Sequence, residues 1–335
     1  MKLHYPDFWQ DKTAISYALL PFTGLFIALT ALRHLMYRLG LFNTYKSQLP
    51  VIVVGNITVG GSGKTPFVIW LVAHLKKLGY KPGIVSRGYG GKSSSWPQQV
   101  RLDSDPATVG DEALLLALRC HCPMAVAPQR ADAVRALEAQ GQVDIIISDD
   151  GLQHYAMGRD IEIAVVDGVR QQGNGFMLPA GPLREPLSRL DSVDLLITSQ
   201  AKLRRQHHME MMEPRIYPIT DPQSRQPLSA WDGQQVRAIA GIGDPQRFFD
   251  MLRSHGLSVI DMAFPDHHPY QPSDLQFDDG IPLLMTEKDA VKCHSFAPAQ
   301  SWVVSIDVEP DEPFKHRLSL LLNDVAAEKQ TSEED

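Results

Sequence analysis

The residues best suited to chemistry lie in a glycine-rich turn between a short apolar run and a helical pattern. The apolar run covers residues 51–54, and the turn ends in Lys64 and Thr65. Glycines let backbone N–H groups converge on a phosphate, while the helix start, the lysine and the hydroxyl can hold phosphates and Mg²⁺. The pattern therefore predicts a nucleoside triphosphate site. The residues expected to bind the nucleotide are Thr58, Val59, Gly60, Gly61, Ser62, Gly63, Lys64 and Thr65.

This turn departs from the strict phosphate-loop pattern at one position. The pattern expects glycine five residues before Gly63, where this chain has Thr58. Pro66 suits the first turn of a helix, and apolar residues then recur at helical spacing until Gly79. The alternative is a glycine-rich hairpin with an incidental lysine. The order of strand, loop, Lys-Thr and helix favours the phosphate loop.

A second candidate site lies where another apolar run ends in two carboxylates. Residues 145–148 are followed by Asp149 and Asp150. Phosphate-loop enzymes hold Mg²⁺ with a carboxylate at such a strand end, directly or through water. Asp-Asp-Gly also suits a surface turn. Because a phosphate loop lies upstream, we expect a metal site that uses these carboxylates together with Thr65.

Two further motifs carry charged pairs whose roles the residue types alone leave open. Asp111 and Glu112 open a helical pattern, where acidic residues also stabilise the helix dipole. Arg184 and Glu185 could pair with each other on a surface, but prolines on both sides make that segment stiff, which suits residues that must be positioned.

Polar residues after two other predicted strands are also candidates. His267 and His268 are adjacent, and no further zinc ligands can be located beside them. Arg87 and Tyr89 follow the strand predicted at residues 83–86, so they could face a ligand.

Short apolar runs alternate with helical patterns along most of the chain. Strands are expected at residues 51–54, 83–86, 125–127, 145–148, 161–166, 195–198, 236–240, 257–260, 283–285 and 302–306. Helices are expected after the phosphate loop and at residues 111–119, 130–140, 245–255 and 312–322, and a polar helical pattern surrounds His207 and His208. The alternation predicts an α/β fold with a mostly parallel sheet, in which ligands bind at the carboxyl ends of the strands.

Length, charge and cysteine content limit the classes of function. A chain of 335 residues can form one large or two smaller domains. The net charge of −7 argues against general nucleic-acid binding, so no nucleic-acid partner is expected. Cys120, Cys122 and Cys293 form neither a disulfide framework nor a zinc pattern, which favours reduced thiols in the cytosol.

The N-terminal region is unusually apolar. Residues 14–32 carry no charge, and Arg33, Arg38 and Lys46 follow them. A helix of that length would extend about 28 Å, close to the hydrocarbon thickness of a bilayer. An interfacial helix, a single membrane span and a buried core helix all remain open, whereas the mixed charges before the stretch disfavour a signal peptide. The basic residues after it suit anionic headgroups on the cytosolic face.

Seven motifs of this chain also occur in one enzyme family, in the same order and with similar spacing. They are GNITVGGSGKTP, SRGYGG, VGDEA, DDGLQH, LPAGPLRE, FPDHHPY and MTEKDAVK. Over nearly its whole length the chain resembles the lipid A 4′-kinase family, tetraacyldisaccharide 4′-kinase or LpxK, whose loop shares the departure at Thr58. The resemblance implies phosphorylation of the 4′-hydroxyl of tetraacyldisaccharide 1-phosphate, with ATP and Mg²⁺, to give lipid IVA for lipopolysaccharide.

The resemblance also implies roles for individual residues. Asp111 matches a base that accepts the sugar hydroxyl proton, and His267 matches its partner. Because His268 stands where the family often has Tyr or Phe, it stays open which histidine acts. The other implied site residues are Lys64 for catalysis, Thr65, Glu112, Asp149 and Asp150 around the metal, and Arg87, Tyr89, Arg130, His154, Arg184 and Glu185 at the substrate or phosphates.

The domain organisation expected from the resemblance is a phosphate-loop core with a smaller inserted α/β lobe. Residues 1–157 would form the apolar N-terminal helix and the core, residues 158–275 the smaller lobe, and residues 276–335 a return to the core that ends in a helix. The expected location is the cytoplasmic face of the bacterial inner membrane, peripheral or anchored by the N-terminus. The expected partners are the lipid substrate and the membrane surface, and no protein partner is inferred.

Two other classes of protein share the phosphate loop. An ATP-dependent ligase or synthetase of the dethiobiotin synthetase type would act on a small soluble acid, which leaves the apolar N-terminal stretch without a purpose. A membrane-bound ATP switch related to partition ATPases has no fixed acceptor site, which leaves the DDGLQH, GPLRE and DHH motifs without a role.

Overall fold

The computed structural model describes residues 6–203 and 206–334, in which strands alternate with helices. The helices are α1 Ala14–Ala18, α2 Leu20–Arg38, α3 Lys64–Lys77, α4 Pro106–Val109, α5 Asp111–Cys120, α6 Arg130–Gln140, α7 Pro245–Ser254, α8 Glu287–Cys293 and α9 Glu312–Glu334. The strands are β1 Val51–Gly55, β2 Pro82–Ser86, β3 Gln98–Gln99, β4 Met124–Val126, β5 Ile145–Asp149, β6 Ile161–Asp167, β7 Leu195–Ser199, β8 His207–Met211, β9 Arg215–Pro218, β10 Gln226–Pro227, β11 Gln235–Ala240, β12 Ser258–Ala263, β13 Leu283–Thr286, β14 Ser301–Ser305 and β15 Val308–Pro310. The predicted α/β class is confirmed.

The larger of two sheets carries the phosphate loop. Its strand order is β15-β8-β7-β6-β1-β5-β2-β4-β3. The seven central strands are parallel, and only the edge strands β15 and β3 pair antiparallel. All five residues of β1 are buried, as expected for a parallel strand covered on both faces. The carboxyl ends of these strands therefore meet along one edge, and we call this sheet with its helices the larger lobe.

The second sheet forms what we call the smaller lobe, together with α7 and α8. Its strand order is β10-β9-β14-β13-β11-β12, with four parallel strands and two antiparallel strands at one side. Helix α7 packs Phe248, Phe249 and Leu252 into a cluster with Val236 and Ala238 of β11. The lobe therefore has a hydrophobic core of its own.

Sheet membership places the lobe boundaries differently from the sequence expectation. Strands β6, β7 and β8 fall within residues 158–275, yet they belong to the larger sheet because β6 pairs with β1. Strands β13 and β14 fall within residues 276–335, yet they complete the smaller sheet before β15 and α9 return to the larger lobe. Alternation along a chain does not encode which distant strands pair. The polar segment around His207 is strand β8, so the helical expectation there is wrong.

The apolar N-terminal stretch forms two helices that meet at Leu19, and the second continues to Arg38. Helix α2 is long and apolar enough to cross a membrane, and 6% of its 18-residue apolar window is buried. Thr23 attaches it to the larger lobe, donating to the Met177 carbonyl oxygen and accepting from the Ala180 N–H, each at 3.2 Å. Because most of its side chains are exposed, the buried core helix considered from the sequence is wrong.

Candidate active site

The glycine-rich turn connects β1 to α3 at the carboxyl edge of the larger sheet. Gly63 has a φ of +85°, and a Cβ atom there would lie 3.2 Å from side-chain atoms of Met209 and Ser199, so this position favours glycine. The Ser199 hydroxyl donates to the Ser62 carbonyl oxygen at 2.9 Å, and Arg170 Nη2 donates to the Gly61 carbonyl oxygen at 2.6 Å. These bonds hold the turn in place.

Lys64 is held at the start of α3 by two oxygen atoms. Its Nζ donates to Asn56 Oδ1 at 3.1 Å and lies 3.3 Å from Asp150 Oδ1. The Asn56 amide in turn donates to the Gly60 carbonyl oxygen at 3.4 Å. The ammonium group is therefore positioned over the turn, with its charge balanced by a carboxylate.

The two carboxylates predicted at a strand end lie beside the phosphate loop because β5 pairs with β1, with Asp149 opposite Val54. Burial, followed by the charges of Glu112 and Asp150, raises the pKa of Asp149 to about 7. Burial would also raise the pKa of Asp150, but the charges of Lys64 and Arg184 hold it well below its usual range. The neighbouring carboxylates thus occupy opposite electrostatic environments.

These oxygen atoms fit a divalent cation of the Mg²⁺ type. Asp149 is buried with a raised pKa, and Asp150 Oδ1 has no hydrogen-bond partner among the described residues, although it lies at ion-pair distance from Lys64. Within residues 6–203 and 206–334 no three His, Cys, Asp or Glu side chains converge as a ready ligand set. Mg²⁺ beside a nucleotide usually takes one or two carboxylates, phosphate oxygens and waters. The side chains that could hold it are Thr65, Glu112, Asp149 and Asp150.

Backbone pairing brings the LPAGPLRE motif onto the phosphate loop. The Arg184 N–H donates to the Ile57 carbonyl oxygen at 2.7 Å, and the Val59 N–H donates to the Pro182 carbonyl oxygen at 2.9 Å. Between these bonds, Thr58 forms an antiparallel bridge with Leu183. Arg184 Nη1 then lies 3.2 Å from Asp150 Oδ2. Arg184 therefore pairs with the strand-end carboxylate rather than with Glu185 on a surface.

Glu185, the last residue of this motif, is buried, with 2% of its surface exposed. It accepts hydrogen bonds from Gln153 Nε2, at 2.9 Å, and from the Tyr155 hydroxyl. His34 Nε2, on helix α2, lies 3.4 Å away. Gln153 also donates to the Asn56 carbonyl oxygen at 3.0 Å, so Glu185 joins the N-terminal helix to the residue that holds Lys64.

Asp111 is the first residue of α5, and its position depends on the preceding glycine. Gly110 has a φ of +94°, and a Cβ atom there would lie 2.4 Å from the Tyr89 carbonyl oxygen, so the helix start packs directly on the SRGYGG loop. The Asp111 side chain is buried, and its Oδ2 lies 2.8 Å from His267 Nδ1. The ring of Tyr89 lies 5.3 Å from the ring of His267.

The two adjacent histidines have different partners. His267 contacts Asp111, whereas His268 Nε2 lies 3.1 Å from Asp274 Oδ2 within the smaller lobe. The hydrogen bond with Asp111 raises the pKa of His267. Burial alone would raise the pKa of Asp111, but the hydrogen bond and charge of His267 lower it. The geometry therefore pairs His267, and not His268, with Asp111.

Arg130 and His154 form hydrogen bonds that hold the backbone of the strand-end carboxylates. Arg130 begins α6, and its Nη2 donates to the Asp150 carbonyl oxygen at 2.9 Å. The Arg130 N–H donates to His154 Nε2 at 3.1 Å. Burial and the charge of Arg130 lower the pKa of His154 to about 4, so this histidine is a neutral acceptor at pH 7. Arg87 and Tyr89, in the SRGYGG loop, are exposed.

Comparisons with known proteins agree with this arrangement. A family model for tetraacyldisaccharide-1-P 4′-kinase matches residues 15–323. The chain belongs to this family. The tetraacyldisaccharide 4′-kinase of Nitrosococcus oceani is 48% identical over 322 residues, 96% of this chain and 95% of that protein, and that of Coxiella burnetii is 43% identical over 333 residues, 99% of each. The crystal structure of Aquifex aeolicus LpxK, an apo form in complex with ATP, matches with a TM-score of 0.80 and 29% identity, covering 93% of this chain and 99% of that chain.

Sequence reasoning missed further ion pairs between the lobes of this family member, among them those of Lys288 and Arg247. Lys288, in the MTEKDAVK motif, pairs with Glu112 on α5. Arg247, on α7, lies 3.1 Å from Asp167 Oδ2 at the end of β6. The motif around Lys288 was recognisable in the sequence. Its contact with Glu112 was not predictable, because the two residues are 176 positions apart. Nothing in the residues around Arg247 marked it.

Proposed function

We propose that this chain is an ATP-dependent kinase that transfers the γ-phosphate of ATP to the 4′-hydroxyl of tetraacyldisaccharide 1-phosphate, giving lipid IVA in lipid A biosynthesis. The observation that carries the proposal is the position of Lys64 and the Asp111–His267 pair at one site. Lys64 is close enough to lower the pKa of Glu112, which directly follows Asp111. Membership of the 4′-kinase family supports this choice of acceptor.

Asp111 is the group that we assign to the acceptor hydroxyl. Its carboxylate accepts the proton of the attacking hydroxyl, and His267 shares that proton through the 2.8 Å contact. A carboxylate with a lowered pKa is a weak base on its own, so the histidine partner is needed. Tyr89, whose ring lies 5.3 Å from that of His267, and the exposed Arg87 of the same loop are the residues that we assign to contact with the acceptor.

The remaining work is positioning and charge neutralisation, which dominate phosphoryl transfer. Residues 58–65 bind the phosphates, with Lys64 on the outer ones. Arg184 adds a second positive charge from the far side of Asp150, and Arg130 fixes the turn that carries both strand-end carboxylates. His154 holds the N–H of Arg130 and orients it. Glu185 acts indirectly, by accepting hydrogen bonds that hold Gln153 and Tyr155 in position.

Thr65, Glu112, Asp149 and Asp150 would hold Mg²⁺, directly or through water. When bound, the ion would supply positive charge that neutralises the charge developing on the transferring phosphoryl group. The raised pKa of Asp149 supports this assignment, because a buried carboxylate is stabilised in its charged form by a nearby cation.

Helix α2 is the part of the chain that we assign to the inner membrane, on its cytoplasmic face. It exposes large apolar side chains at Phe22, Leu25, Ile27, Leu29, Leu32 and Leu35. Arg33 and Arg38 near its C-terminal end suit anionic headgroups. The helix lies on or in the bilayer beside the active site, so the acyl chains of the acceptor can remain in lipid.

The test uses γ-labelled ATP, vesicles and purified tetraacyldisaccharide 1-phosphate. Label should enter the chloroform-soluble phase with the wild-type chain and not with Lys64→Ala, which removes one fixed positive charge from the phosphates. Label that is released only as inorganic phosphate, with or without the lipid acceptor, would point to an ATP switch. ATP consumption that depends on a small soluble acid would point to a ligase.

A further inference from the structure

Helix α8 of the smaller lobe meets helix α5 of the larger lobe through two ion pairs of different character. Glu287 lies 2.6 Å from Arg119 Nη1, and both side chains are close to fully buried, 10% and 9% exposed. Lys288, the next residue, pairs with Glu112, and these side chains are 28% and 35% exposed. One pair is thus interior, and the other opens into the active site beside Asp111.

The start of α8 is fixed, which leaves the Lys288 side chain as its adjustable part. Asp289 is fully buried and accepts hydrogen bonds from the Gly241 N–H at 3.1 Å, the Tyr270 hydroxyl at 3.0 Å and the Thr286 hydroxyl at 2.7 Å. A rigid backbone with a long, flexible cationic side chain can present one charge to more than one partner.

Lys288 lies within electrostatic range of the groups that carry the reaction. Its charge lowers the pKa of both Glu112 and Asp111, and Lys64 acts on Glu112 from the larger lobe. Glu112 therefore stands between one lysine from each lobe. A divalent ion that took Glu112 as a ligand would compete with the Lys288 ammonium group for the same oxygen atoms, because both are cations.

We propose that Lys288 is a second phosphate-directed lysine of the transfer site, supplied by the smaller lobe and held on Glu112 until a divalent cation replaces it there. Released from Glu112, its ammonium group faces the transferring phosphoryl group opposite Lys64 and neutralises the charge that develops in the transition state. No bond to Lys288 forms or breaks. The inference rests on the proposed kinase function, and it assigns to the MTEKDAVK motif a role in the chemistry.

The first measurement needs neither nucleotide nor lipid. Mn²⁺ alone is titrated into wild type and Lys288→Met, and bound ion is followed by electron paramagnetic resonance. Removing the competing ammonium group should tighten Mn²⁺ binding about fivefold or more, as expected for loss of a unit positive charge in contact with a ligand carboxylate. Lys288→Arg, which keeps the charge, should bind Mn²⁺ like wild type. Unchanged or weaker binding in Lys288→Met would overturn the exchange.

The second measurement is turnover with saturating ATP and lipid acceptor. Lys288→Met should lower kcat about 10²–10³-fold, with little change in the KM for ATP, because the contact is made in the transition state. Lys288→Arg should recover part of this loss. Wild-type kcat in Lys288→Met would contradict the proposal. Because the Mn²⁺ measurement requires no acceptor, its failure is distinguishable from failure of the kinase assignment.

Glu287→Gln is the matched control, since it weakens the other ion pair between the same two helices. Arg119 retains Asp307 as a partner in that variant. If the Lys288–Glu112 pair only ties the lobes together, both variants should lower the thermal unfolding temperature and kcat to a similar extent, without tighter Mn²⁺ binding in either. A change in Mn²⁺ affinity confined to Lys288→Met supports the charge-exchange role.

Discussion

His267 Nδ1 lies 2.8 Å from Asp111 Oδ2, and the two residues belong to different lobes. His267 has a φ of +55°, a left-handed conformation that costs a non-glycine residue about 1–3 kcal/mol. Its N–H donates to the Gly241 carbonyl oxygen at 3.2 Å, which helps to hold it there. The pair therefore depends on how the lobes are placed, and neither lobe alone contains it.

The first prediction concerns the Asp111–His267 pair as one unit. Asp111→Asn should lower kcat by about 10²–10⁴, the usual contribution of a general base, while ATP binding persists. His267→Ala should cause a related loss, and the double variant should lose less than the sum because the two share one proton. His268→Ala is the matched control and should retain most activity, since His268 pairs with Asp274. Additive losses would argue against a shared proton.

The second prediction concerns pH. Because contact with Asp111 raises the pKa of His267 above 6.5, kcat/KM should rise with pH through a value above 6.5 as the pair gains its capacity to take up a proton. In His267→Asn this limb should disappear from the profile. The free energy of unfolding should change in the opposite direction. The stability that protonated His267 gains from Asp111 is fully present below pH 6.5 and is lost as pH rises through the raised pKa of His267.

At the acid end, the pair behaves differently. Asp111 has a pKa below 3.8, so its share of stability is present above that pH and is lost as pH falls through the lowered value. Urea unfolding at several pH values, compared between wild type and His267→Asn, measures both changes. Parallel stability curves for the two proteins from pH 5 to 9 would show that titration of His267 does not contribute to the pH dependence of folding.

The third prediction concerns Arg184, whose guanidinium makes one contact with Asp150, from Nη1 to Oδ2 at 3.2 Å. Since only one nitrogen is used, Arg184→Lys should keep most of the activity, whereas Arg184→Ala should lower kcat and raise the KM for ATP. Steady-state kinetics at saturating lipid distinguish the two. A Lys variant as impaired as the Ala variant would mean that the planar fork is used once ligands are bound.

Particular residues show what the sequence could and could not supply. The chain order of apolar runs and polar strand ends was enough to place Lys64, Asp149 and Asp150 at one sheet edge, because parallel neighbours align their carboxyl ends. Pairing between distant parts of the chain was not encoded locally. The strand at β8, the burial of Glu185 and the contact of Lys288 with Glu112 all depend on such pairing.

The fourth prediction concerns Glu185 as a buried acceptor. Glu185→Ala leaves the partly buried donors of Gln153 and Tyr155 without this partner, and each should cost less than the roughly 1–3 kcal/mol of a fully buried unsatisfied donor. We therefore expect a lower urea midpoint, together with reduced turnover because Gln153 also holds the backbone of Asn56. Glu185→Gln keeps an acceptor oxygen and should lose less stability. Equal midpoints for wild type and Glu185→Ala would mean that water replaces the carboxylate without cost.

The last prediction concerns helix α2 and the membrane. Leu25 and Leu29 are 60% and 57% exposed and lie one helical turn apart, so they share an exposed apolar face of α2. Replacing both with Glu puts charge on an apolar face, which is costly in a membrane interface but not in water. The variant should sediment less with anionic vesicles and show a higher apparent KM for the lipid acceptor, with unchanged ATP affinity.

Two controls separate the membrane role of this face from folding. Leu320→Glu changes a leucine on α9 that is 41% exposed, so it tests whether any added surface charge reduces sedimentation. Phe26→Glu changes a residue of α2 that packs against Ile57 and Met177, so it should destabilise the fold as well. The two substitutions change only this face of α2. If the Leu25→Glu and Leu29→Glu double variant still sediments with vesicles as fully as wild type, another surface must meet the membrane.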